Sequence, residues 1–512
     1  MSAPLAELTS WNADWRGLKV AVLGLAQTGF SVADTLAELG ADVLVVTAQA
    51  DEEFARLLPV IGVRLVEADL SAPPAELLEH APDVIIASPG FAPHHPLIRW
   101  ARESGIPLWG DIELAWRVRD KVVRADGTPA EWILITGTNG KTTTTRLAAT
   151  MLVAGDQRAA PCGNIGVPVL DAVRDPAGFD VLVVELSSHQ LWYLSLSTPE
   201  GAPSPLASVC INLADDHLEW HGSAQGYRDA KAIVCRDTRV ACVYNKADVA
   251  TREMVEDADV VDGARAIGFD LGVPGPSDLG VVDGILVDRA FLDQRHHSAL
   301  ELITVAELAE YGLAAPHIVQ NILAAAALAR AVGVEPSAVA EALRTFRLDP
   351  HRIEIVARAN GITWVDDSKA TNPHAADSSL AAYPGAIWIV GGQLKGVDIS
   401  ALVAGRGSQV KAALIIGEAR ESVVAAFERH APGVSLSEVI AGETEGVMTR
   451  AVDLAAGIAT DGDTVLLAPA AASFDQFASY ADRGQRFAEA VRQHIGGDAN
   501  GDRPDRATPP QR

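Results

Sequence analysis

One short segment constrains the fold of this chain more than any other. The apolar run Trp132–Thr136 leads into a glycine-rich turn, Gly137–Gly140, and the turn leads into a helix predicted over Thr142–Ala154. Because the free N–H groups and the positive dipole end of the helix then face the turn, this arrangement binds phosphate groups. Within the sequence GTNGKTT, Lys141 is placed to neutralise a transferring phosphate and Thr142 to ligate magnesium. The segment predicts ATP binding; the alternative is an ordinary glycine turn beside an exposed lysine.

Apolar strands and helices alternate on both sides of this segment. The predicted strands are Lys19–Leu23, Val43–Val46, Val84–Ala87, Val181–Glu185, Ser208–Asn212, Val240–Tyr244, Ile362–Val365, Ile387–Val390, Ala413–Ile416 and Thr464–Leu467. Helices are predicted at Phe30–Leu39 and, in an alanine-rich stretch, at Ile318–Ala329. Buried β-branched strands separated by helices favour doubly wound, mainly parallel sheets, so the predicted fold class is α/β. A length of 512 residues suggests about three domains.

Composition and charge exclude several classes of protein. Hydrophobic residues make up 48% of the chain, which excludes a largely disordered protein. A formal net charge of −26 disfavours binding to nucleic acid or to an anionic membrane. The four cysteines form no CxxC pair, no apolar stretch reaches about 18 residues, and residues 1–16 do not resemble a signal peptide. We therefore expect a cytoplasmic protein.

A second glycine turn, Gly24–Gly29, follows the first predicted strand. It resembles the dinucleotide-binding fingerprint but has Ala26 at the position of the second glycine, and the next strand ends in Thr47 instead of an acidic ribose ligand. A nicotinamide cofactor, and with it an oxidoreductase activity, is therefore disfavoured. The turn still precedes a helix, so it predicts a site for another phosphate-bearing ligand.

Carboxylate and imidazole side chains follow two further strands of the central region. Glu185 ends one strand, and Asp215, Asp216 and His217 come shortly after the next. Polar residues at the carboxyl ends of strands, beside a phosphate-binding loop, predict a magnesium site. The alternative for each is a polar turn at the end of a strand. Lys231 lies in a predicted helix, and its position alone is typical of a solvated lysine.

The third α/β region contains polar segments near strand ends and helix starts. They are His351-Arg352, Asp366–Asn372, Gly391–Lys395 and Ala472–Phe477. Their lysines, arginine and hydroxyl groups suit a phosphate and a carboxylate-bearing substrate.

Together these motifs resemble the Mur ligase family. The sequence GTNGKTT is shared across that family and with folylpolyglutamate synthases. Four segments are more selective for the branch of the family that adds D-glutamate: Gly110–Leu114, Glu185–Leu191, Asp367–Asn372 and Ala472–Phe477. The resemblance covers the chain from Lys19 to Val491.

The resemblance implies three domains and an activity. A Rossmann-like domain for the UDP-sugar is expected over residues 1–110, a P-loop-type ATPase domain over 111–348, and a second Rossmann-like domain, which binds the amino acid and closes on ATP, over 349–495. An insertion is expected at residues 257–293 and a disordered tail at 496–512. The implied activity is ATP-dependent ligation of D-glutamate to UDP-N-acetylmuramoyl-L-alanine through an acyl phosphate, in the synthesis of peptidoglycan precursors.

The resemblance also implies a role for each motif residue. The residues that would bind ATP are Gly137, Thr138, Asn139, Gly140, Lys141, Thr142, Thr143, Asn321, Arg352 and Asp367. Those that would bind the UDP-sugar are Thr28, Ser88, Pro89, Gly90 and Asn164. Those that would bind D-glutamate are Thr371, Lys395, Ser473 and Phe474, and Ser187 and Lys369 would make further substrate contacts. The implied ligands of two magnesium ions are Thr142, Glu185, His217 and Lys231, the last as a carbamate. The implied catalytic residues are Lys141, Glu185, His217 and Lys231.

Two other interpretations remain open. The chain could be another amino-acid ligase of the same superfamily, such as a folylpolyglutamate synthase, or a non-catalytic nucleotide-binding protein. The joint presence of Lys141, Glu185, His217 and Lys231 argues against the second, because nucleotide binding alone does not need a second set of metal ligands. The expected partners are small molecules, with no nucleic acid and no membrane insertion.

Overall fold

The computed structural model describes residues 5–440 and 446–498, and the chain divides into two compact units. Unit 1 comprises Met1–Phe346 and unit 2 comprises Arg347–Arg512. Unit 1 contains two sheets and unit 2 contains one, and most neighbouring strands run parallel. The predicted α/β fold class is therefore confirmed. Among the described residues, no helix is both long and apolar enough to cross a membrane.

The first sheet of unit 1 has five parallel strands. They are β1 (Lys19–Leu23), β2 (Asp42–Thr47), β3 (Arg64–Glu67), β4 (Val84–Ala87) and β5 (Leu108–Trp109). The accompanying helices are α1 (Gln27–Glu38), α2 (Glu52–Leu57), α3 (Ala75–His80), α4 (Pro96–Glu103) and α5 (Asp111–Arg117). The strand order is β3-β2-β1-β4-β5. Because the order reverses at β1, a ligand crevice is expected at the carboxyl ends of β1 and β4.

The second sheet of unit 1 has nine strands. They are β6 (Glu131–Thr136), β7 (Ala159–Gly163), β8 (Val181–Glu185), β9 (Ala207–Cys210), β10 (Ala241–Asn245), β11 (Arg265–Phe269), β12 (Asp278–Val282), β13 (Ile285–Asp288) and β14 (Leu300–Thr304). The order is β14-β13-β12-β11-β10-β9-β6-β8-β7; the pairs β12–β13 and β13–β14 are antiparallel, and the other neighbouring strands are parallel. The strand β6 therefore lies between β8 and β9. The glycine turn after β6, the segment that starts at Glu185 and the segment that contains His217 therefore follow three adjacent strands.

The segment 257–293, where an insertion is predicted, contains short strands that extend the second sheet towards one edge. It contains β11, β12 and β13, and β11 pairs in parallel with β10 along its full length. The helices of this part of unit 1 are α6 (Lys141–Ala154), α7 (Val169–Arg174), α8 (Ser188–Leu194), α9 (Leu218–His221), α10 (Ala224–Ala232), α11 (Val249–Glu256), α12 (Val305–Glu310), α13 (Pro316–Val332) and α14 (Pro336–Thr345).

Unit 2 is built on a six-stranded sheet. Its strands are β15 (Glu354–Ala359), β16 (Ile362–Asp366), β17 (Ile387–Gly391), β18 (Ala412–Ile416), β19 (Ser435–Glu438) and β20 (Thr464–Leu467), in the order β15-β16-β20-β17-β18-β19. Only β15 is antiparallel to its neighbour. The helices are α15 (Pro373–Ala382), α16 (Ser400–Arg406), α17 (Arg420–His430), α18 (Val447–Ile458) and α19 (Tyr480–Asp498).

The predicted tail begins within the last of these helices. Helix α19 continues through Gly496 to Asp498, so the chain is helical for three residues where a disordered tail was predicted. The remaining tail residues, 499–512, lie outside the described residues.

Candidate active site

The phosphate-binding turn of unit 1 has the backbone that the sequence predicts. Gly137 and Gly140 both have positive φ, at 156° and 80°, and Gly140 is the residue from which α6 begins. The turn is tied to the loop after β9, because the Asn139 N–H donates to Asn212 Oδ1 at 2.9 Å and Asn212 Nδ2 donates to the Asn139 carbonyl at 3.0 Å. A Cβ atom at Gly140 would lie 2.5 Å from Asn321 Oδ1. Asn321, on α13, therefore lies directly against the turn.

Two lysines meet at one carbonyl group of this turn. Lys141 Nζ donates to the carbonyl oxygens of Gly137 at 2.9 Å and Thr138 at 3.0 Å. Lys231 Nζ also donates to Gly137 O, at 2.9 Å, and to Thr136 Oγ1 at 3.1 Å. Lys231 is only 1% exposed, so the interpretation of this residue as a solvated helix lysine is wrong. Burial, with the charge of Lys141 adding to it, lowers the pKa of Lys231 to about 7.

A tyrosine holds the helix of Lys231 against the turn. The Tyr227 hydroxyl and Thr138 Oγ1 are hydrogen-bonded at 2.9 Å, and Thr138 Oγ1 also accepts from the Ala214 N–H at 2.9 Å. The ring of Tyr227 lies 5.0 Å from Lys231 Nζ. Sequence reasoning missed Tyr227, although its place one helical turn before Lys231 is visible in the sequence.

Glu185 is a buried carboxylate with one unpaired oxygen. It is 1% exposed, and its Oε1 accepts from Asn164 Nδ2 at 2.9 Å. Its Oε2 is buried and has no hydrogen-bond partner within the described part of the chain. Such a carboxylate oxygen, beside a phosphate-binding turn, fits a hard divalent cation such as Mg²⁺. The structure thus brings the predicted ligand Glu185 and the predicted substrate residue Asn164 together.

Ser187, a predicted substrate residue, lies at the N-terminus of α8. Its hydroxyl accepts from the Gln190 N–H at 3.2 Å, and Gln190 Oε1 accepts from the Ser187 N–H at 3.0 Å. This reciprocal pair is a capping box that starts α8. Gln190 Nε2 in turn donates to Asp111 Oδ2 at 2.9 Å, so the hydroxyl of Ser187 serves the start of a helix.

His217 lies in a cluster of rings that sequence reasoning did not identify. It precedes α9 with a positive φ of 51°, its side chain is half exposed, and its ring centroid is 4.7 Å from that of His189. The rings of His189 and Trp220 are stacked at 4.3 Å, and His221 lies 4.5 Å from Trp220. Burial and the nearby positive charges lower the pKa of His189 to about 3 and that of His221 to about 4. Both imidazoles are therefore neutral at physiological pH.

The crevice of the first sheet carries the predicted UDP-sugar residues. Thr28 lies in the first turn of α1, after β1, and Ser88, Pro89 and Gly90 follow β4. The chain segments approach closely, since a Cβ atom at Gly24 would lie 2.9 Å from Ser88 Oγ. Ser88 Oγ is buried and has no hydrogen-bond partner among the described residues, which leaves a hydroxyl available to a ligand.

Unit 2 places two predicted nucleotide residues near each other. The Asp367 carboxylate follows β16, accepts from the Ile353 N–H at 3.3 Å, and accepts from the hydroxyl of Ser379. Burial raises the pKa of Asp367 to about 6, while the Ser379 hydrogen bond and the charge of Arg352 oppose that rise. Arg352 also lies 3.8 Å from the Asp349 carboxylate.

The predicted amino-acid residues lie at the ends of neighbouring strands of unit 2. Lys369 follows β16, and its Nζ is 3.8 Å from the centroid of the Tyr480 ring. Lys395 follows β17 with a positive φ of 52°, and its Nζ is 5.1 Å from the Phe474 ring. Ser473 is buried, whereas Phe474 is 65% exposed. The Thr371 N–H donates to the Lys369 carbonyl at 2.8 Å.

A buried arginine joins two of these segments, and sequence reasoning missed it. Arg483 is fully buried in α19, and its guanidinium donates to Ser368 Oγ at 2.9 Å, Ser368 O at 2.9 Å and Ala471 O at 3.1 Å. Burial lowers the pKa of Arg483 to about 10. Arg483 therefore fixes the segment that contains Lys369 and Thr371 relative to the one that precedes Ser473.

The fold and these motifs define a class of protein: the chain belongs to the Mur ligase family. Models of that family match three successive segments: the MurD-like N-terminal domain at residues 18–110, the middle domain at 135–329 and the glutamate ligase domain at 351–471.

Curated relatives are similar along nearly the whole chain. The UDP-N-acetylmuramoylalanine–D-glutamate ligase of Leifsonia xyli subsp. xyli is 62% identical over 97% of this chain and 96% of its own length. The protein of that name from Streptomyces avermitilis is 47% identical over 94% of this chain and 99% of its own length.

Solved structures of more distant relatives show the same fold. The MurF ligase of Thermotoga maritima, solved in complex with ADP, aligns with a TM-score of 0.51 at 18% identity, over 94% of this chain and 96% of that one. A pseudomurein peptide ligase type C from Methanothermus fervidus aligns with a TM-score of 0.54 at 18% identity, over 93% of this chain and 100% of that one.

Proposed function

We propose that this chain is an ATP-dependent ligase that joins D-glutamate to UDP-N-acetylmuramoyl-L-alanine in peptidoglycan synthesis, releasing ADP and phosphate. One observation carries the assignment of substrates: 62% identity over 97% of the chain to a ligase named for this reaction. The geometry of unit 1 supports the chemistry, because Lys141, buried Lys231 and the unpaired carboxylate oxygen of Glu185 surround one phosphate-binding turn.

The reaction activates a carboxylate that is otherwise a poor acyl donor. The terminal alanine carboxylate takes the γ-phosphoryl group of ATP, which gives an acyl phosphate and ADP. The D-glutamate amine then attacks the acyl carbon, and the C–O bond to phosphate breaks as the amide forms. Lys141 and the N–H groups at the start of α6 offset the charge on the transferring phosphoryl group, chiefly by fixed electrostatics.

The proposed magnesium site uses Thr142, Glu185, His217 and Lys231. Magnesium, when bound, supplies positive charge next to the transferring phosphoryl group. Two ions are proposed, and Lys231 contributes to their binding as a carbamate formed from its neutral amine and CO₂ with release of a proton. A pKa of about 7 supports this role, because an unperturbed lysine is almost fully protonated at neutral pH.

The other predicted roles are part of the same proposal. ATP is bound by the turn residues 137–143 with Asn321, Arg352 and Asp367. The UDP-sugar is bound by Thr28, Ser88, Pro89, Gly90 and Asn164. D-Glutamate is bound by Thr371, Lys395, Ser473 and Phe474, and further substrate contacts are made by Ser187 and Lys369. The predicted domain ranges and a cytoplasmic location also remain proposals.

The test is an assay of phosphate release with purified protein, ATP, Mg²⁺ and UDP-N-acetylmuramoyl-L-alanine, scanned across D- and L-amino acids. We expect release with D-glutamate and little with L-glutamate, which differs only in configuration and serves as the matched control. Release with a folate acceptor in place of the UDP-sugar would assign the chain to the folylpolyglutamate synthases. Absence of turnover with every acceptor would favour a non-catalytic nucleotide-binding protein.

A further inference from the structure

Thr136, the last residue of β6, has a buried hydroxyl group that makes two hydrogen bonds. It donates to the Leu186 carbonyl at 2.8 Å and accepts from Lys231 Nζ at 3.1 Å. A hydroxyl group has one proton and a carbonyl oxygen can only accept, so the proton of Thr136 is committed to Leu186. The lone pairs of Thr136 Oγ1 therefore face the amine of Lys231.

Carbamate formation changes the hydrogen-bond donors of Lys231. The neutral amine attacks the carbon of CO₂, the N–C bond forms, one C=O electron pair moves to oxygen, and a proton leaves to water. The nitrogen has three N–H groups as an ammonium and keeps only one as a carbamate. Resonance with the carboxyl group makes this nitrogen planar, as in a peptide bond. The direction of the one N–H therefore sets the plane in which the carboxylate lies.

Two acceptors are available to that N–H, and they differ in what they lose without it. The Gly137 carbonyl also accepts from Lys141 at 2.9 Å, so it keeps a partner when Lys231 leaves it. Among the described residues, Thr136 Oγ1 accepts from Lys231 alone. Leaving a buried acceptor without a donor costs free energy, so the remaining N–H is expected to stay on Thr136.

We propose that Thr136 is a positioning residue for Lys231: its hydroxyl accepts the one N–H of the carbamylated side chain and so sets the plane of the carbamate. This inference rests on the proposed function. The Leu186 carbonyl in turn orients the hydroxyl, and Leu186 directly follows Glu185. One side chain of β6 therefore connects two of the proposed metal ligands.

The experiment uses the full-length protein with Thr136→Val, which replaces the hydroxyl by a methyl group. We expect kcat to fall about 10-fold, as for loss of a partner that orients a metal ligand, with the KM values for ATP and D-glutamate within twofold of wild type. Thr136→Ser keeps the hydroxyl and should retain kcat to within twofold. The matched control is Thr35→Val, because the buried Thr35 hydroxyl also donates to a backbone carbonyl, that of Ser31, and accepts from a cation, Arg174.

The carbamate itself is observed by ¹³C NMR. The proteins are measured with ¹³C-labelled bicarbonate and Mg²⁺ but without ATP or substrate, and the carbamate signal is the one absent from Lys231→Ala. We expect this signal at the wild-type position in Thr136→Ser and Thr35→Val, and displaced in Thr136→Val, where the N–H beside the labelled carbon has lost its acceptor. An unchanged position in Thr136→Val, or an equal displacement in Thr35→Val, would overturn the proposal. If Thr136→Val does not fold, Thr136→Ala gives the same comparison.

A variant pair separates this role from an effect of Leu186 on Glu185. Lys231→Ala lacks the N–H, and formate, which is expected to replace the carboxylate, does not supply one. With formate present, adding Thr136→Val to Lys231→Ala should therefore change turnover by less than twofold. A further loss of about 10-fold would overturn the proposal, since Thr136 would then act without Lys231. If formate does not restore turnover, the NMR comparison decides alone.

The NMR measurement also distinguishes failure of this inference from failure of the proposed function. A wild-type protein without a carbamate signal would overturn both the proposed carbamate and this inference. A wild-type protein that has the signal but does not turn over UDP-N-acetylmuramoyl-L-alanine would overturn the proposed reaction alone. The positions of the signal in the Thr136 variants would still decide whether Thr136 orients Lys231.

Discussion

The two glycine turns of unit 1 have similar backbones and different surroundings. The segment that begins at Gly24 joins β1 to α1, whose first turn contains Gly29, and Gly137–Gly140 joins β6 to α6. Gly24 in the first turn and Gly137 and Gly140 in the second have positive φ, and each turn leads to a helix N-terminus. The predicted ligands around the first turn are uncharged hydroxyl groups, those of Thr28 and Ser88. The second turn is surrounded by Lys141, Lys231 and Glu185. The shared backbone provides affinity for phosphate, whereas the charged groups of the second turn are suited to transferring one.

The largest effect is expected at the charged turn. Lys141→Ala should lower kcat for ADP formation by about 1000-fold, because it removes a fixed cation that stabilises the transferring phosphoryl group. The midpoint of thermal unfolding should change little, since the side chain lies over the turn rather than in a core. Lys19→Ala, at an exposed lysine that begins β1, is the control. A variant that keeps near wild-type turnover at saturating ATP would show that the second turn is no more catalytic than the first.

The second prediction concerns the buried lysine of the same turn. Lys231→Arg should lower kcat about 100-fold, as for loss of a metal ligand, although it keeps a positive charge. Arginine stays protonated and cannot form the carbamate, so it leaves a cation where an anion is needed. Lys231→Ala should also be nearly inactive but regain part of its activity with added acetate or formate. Substantial activity in Lys231→Arg would contradict the carbamate and leave Lys231 as a structural donor to Gly137.

The uncharged turn should respond in binding rather than in turnover. Ser88→Ala removes a buried hydroxyl that has no partner in the described structure, so it should raise the KM for UDP-N-acetylmuramoyl-L-alanine about 5-fold and leave kcat unchanged. Ser71→Ala, which removes a hydroxyl bonded to Asp69 on the surface, is the matched control. A loss of kcat in Ser88→Ala would contradict the proposed difference between the two turns, because a residue that only binds substrate should not affect the chemical step.

Sequence reasoning predicts the turns well because their signals are local. The strands that precede the two turns, β1 and β6, are runs of buried apolar residues, so the sequence predicts β1 with its observed bounds and β6 to within one residue; β4, which precedes Ser88, is predicted with its observed bounds for the same reason. The strands β3 and β19 were missed, since both have exposed ends and only half-buried centres, without a buried apolar run. Periodicity identifies a strand only where burial is complete or strictly alternating.

The electrostatic environment of the second turn could not be predicted in the same way. Lys231 is 90 residues or more from Thr136 and Gly137 along the chain, and only the folded structure brings its amine to their oxygens. Its helix reads as an ordinary amphipathic segment, so neither its burial nor its lowered pKa has a local signal. The cluster of the His189, Trp220 and His221 rings has no local signal for the same reason, because its members come from the helices after two different strands.

The smallest predicted effect is on stability, and it tests whether the packing around Gly24 in the first turn is rigid. Gly24→Ala and Gly62→Ala both place a side chain at positive φ, with φ of 94° and 77°, which costs about 1–2 kcal/mol of unfolding free energy in each. At Gly62 the new Cβ meets no other heavy atom of the described structure within 4 Å, so only this backbone cost applies. At Gly24 it would lie 2.9 Å from Ser88 Oγ and 3.2 Å from Phe91, so we expect a further loss of about 1 kcal/mol from crowding. Ser88→Ala removes the nearer atom. The double variant Gly24→Ala/Ser88→Ala should therefore recover part of this extra loss, measured as the free energy of unfolding in urea. Equal stability of the two single glycine variants would mean that the first turn relaxes around a methyl group, and that its close approach to Ser88 does not define a rigid ligand site.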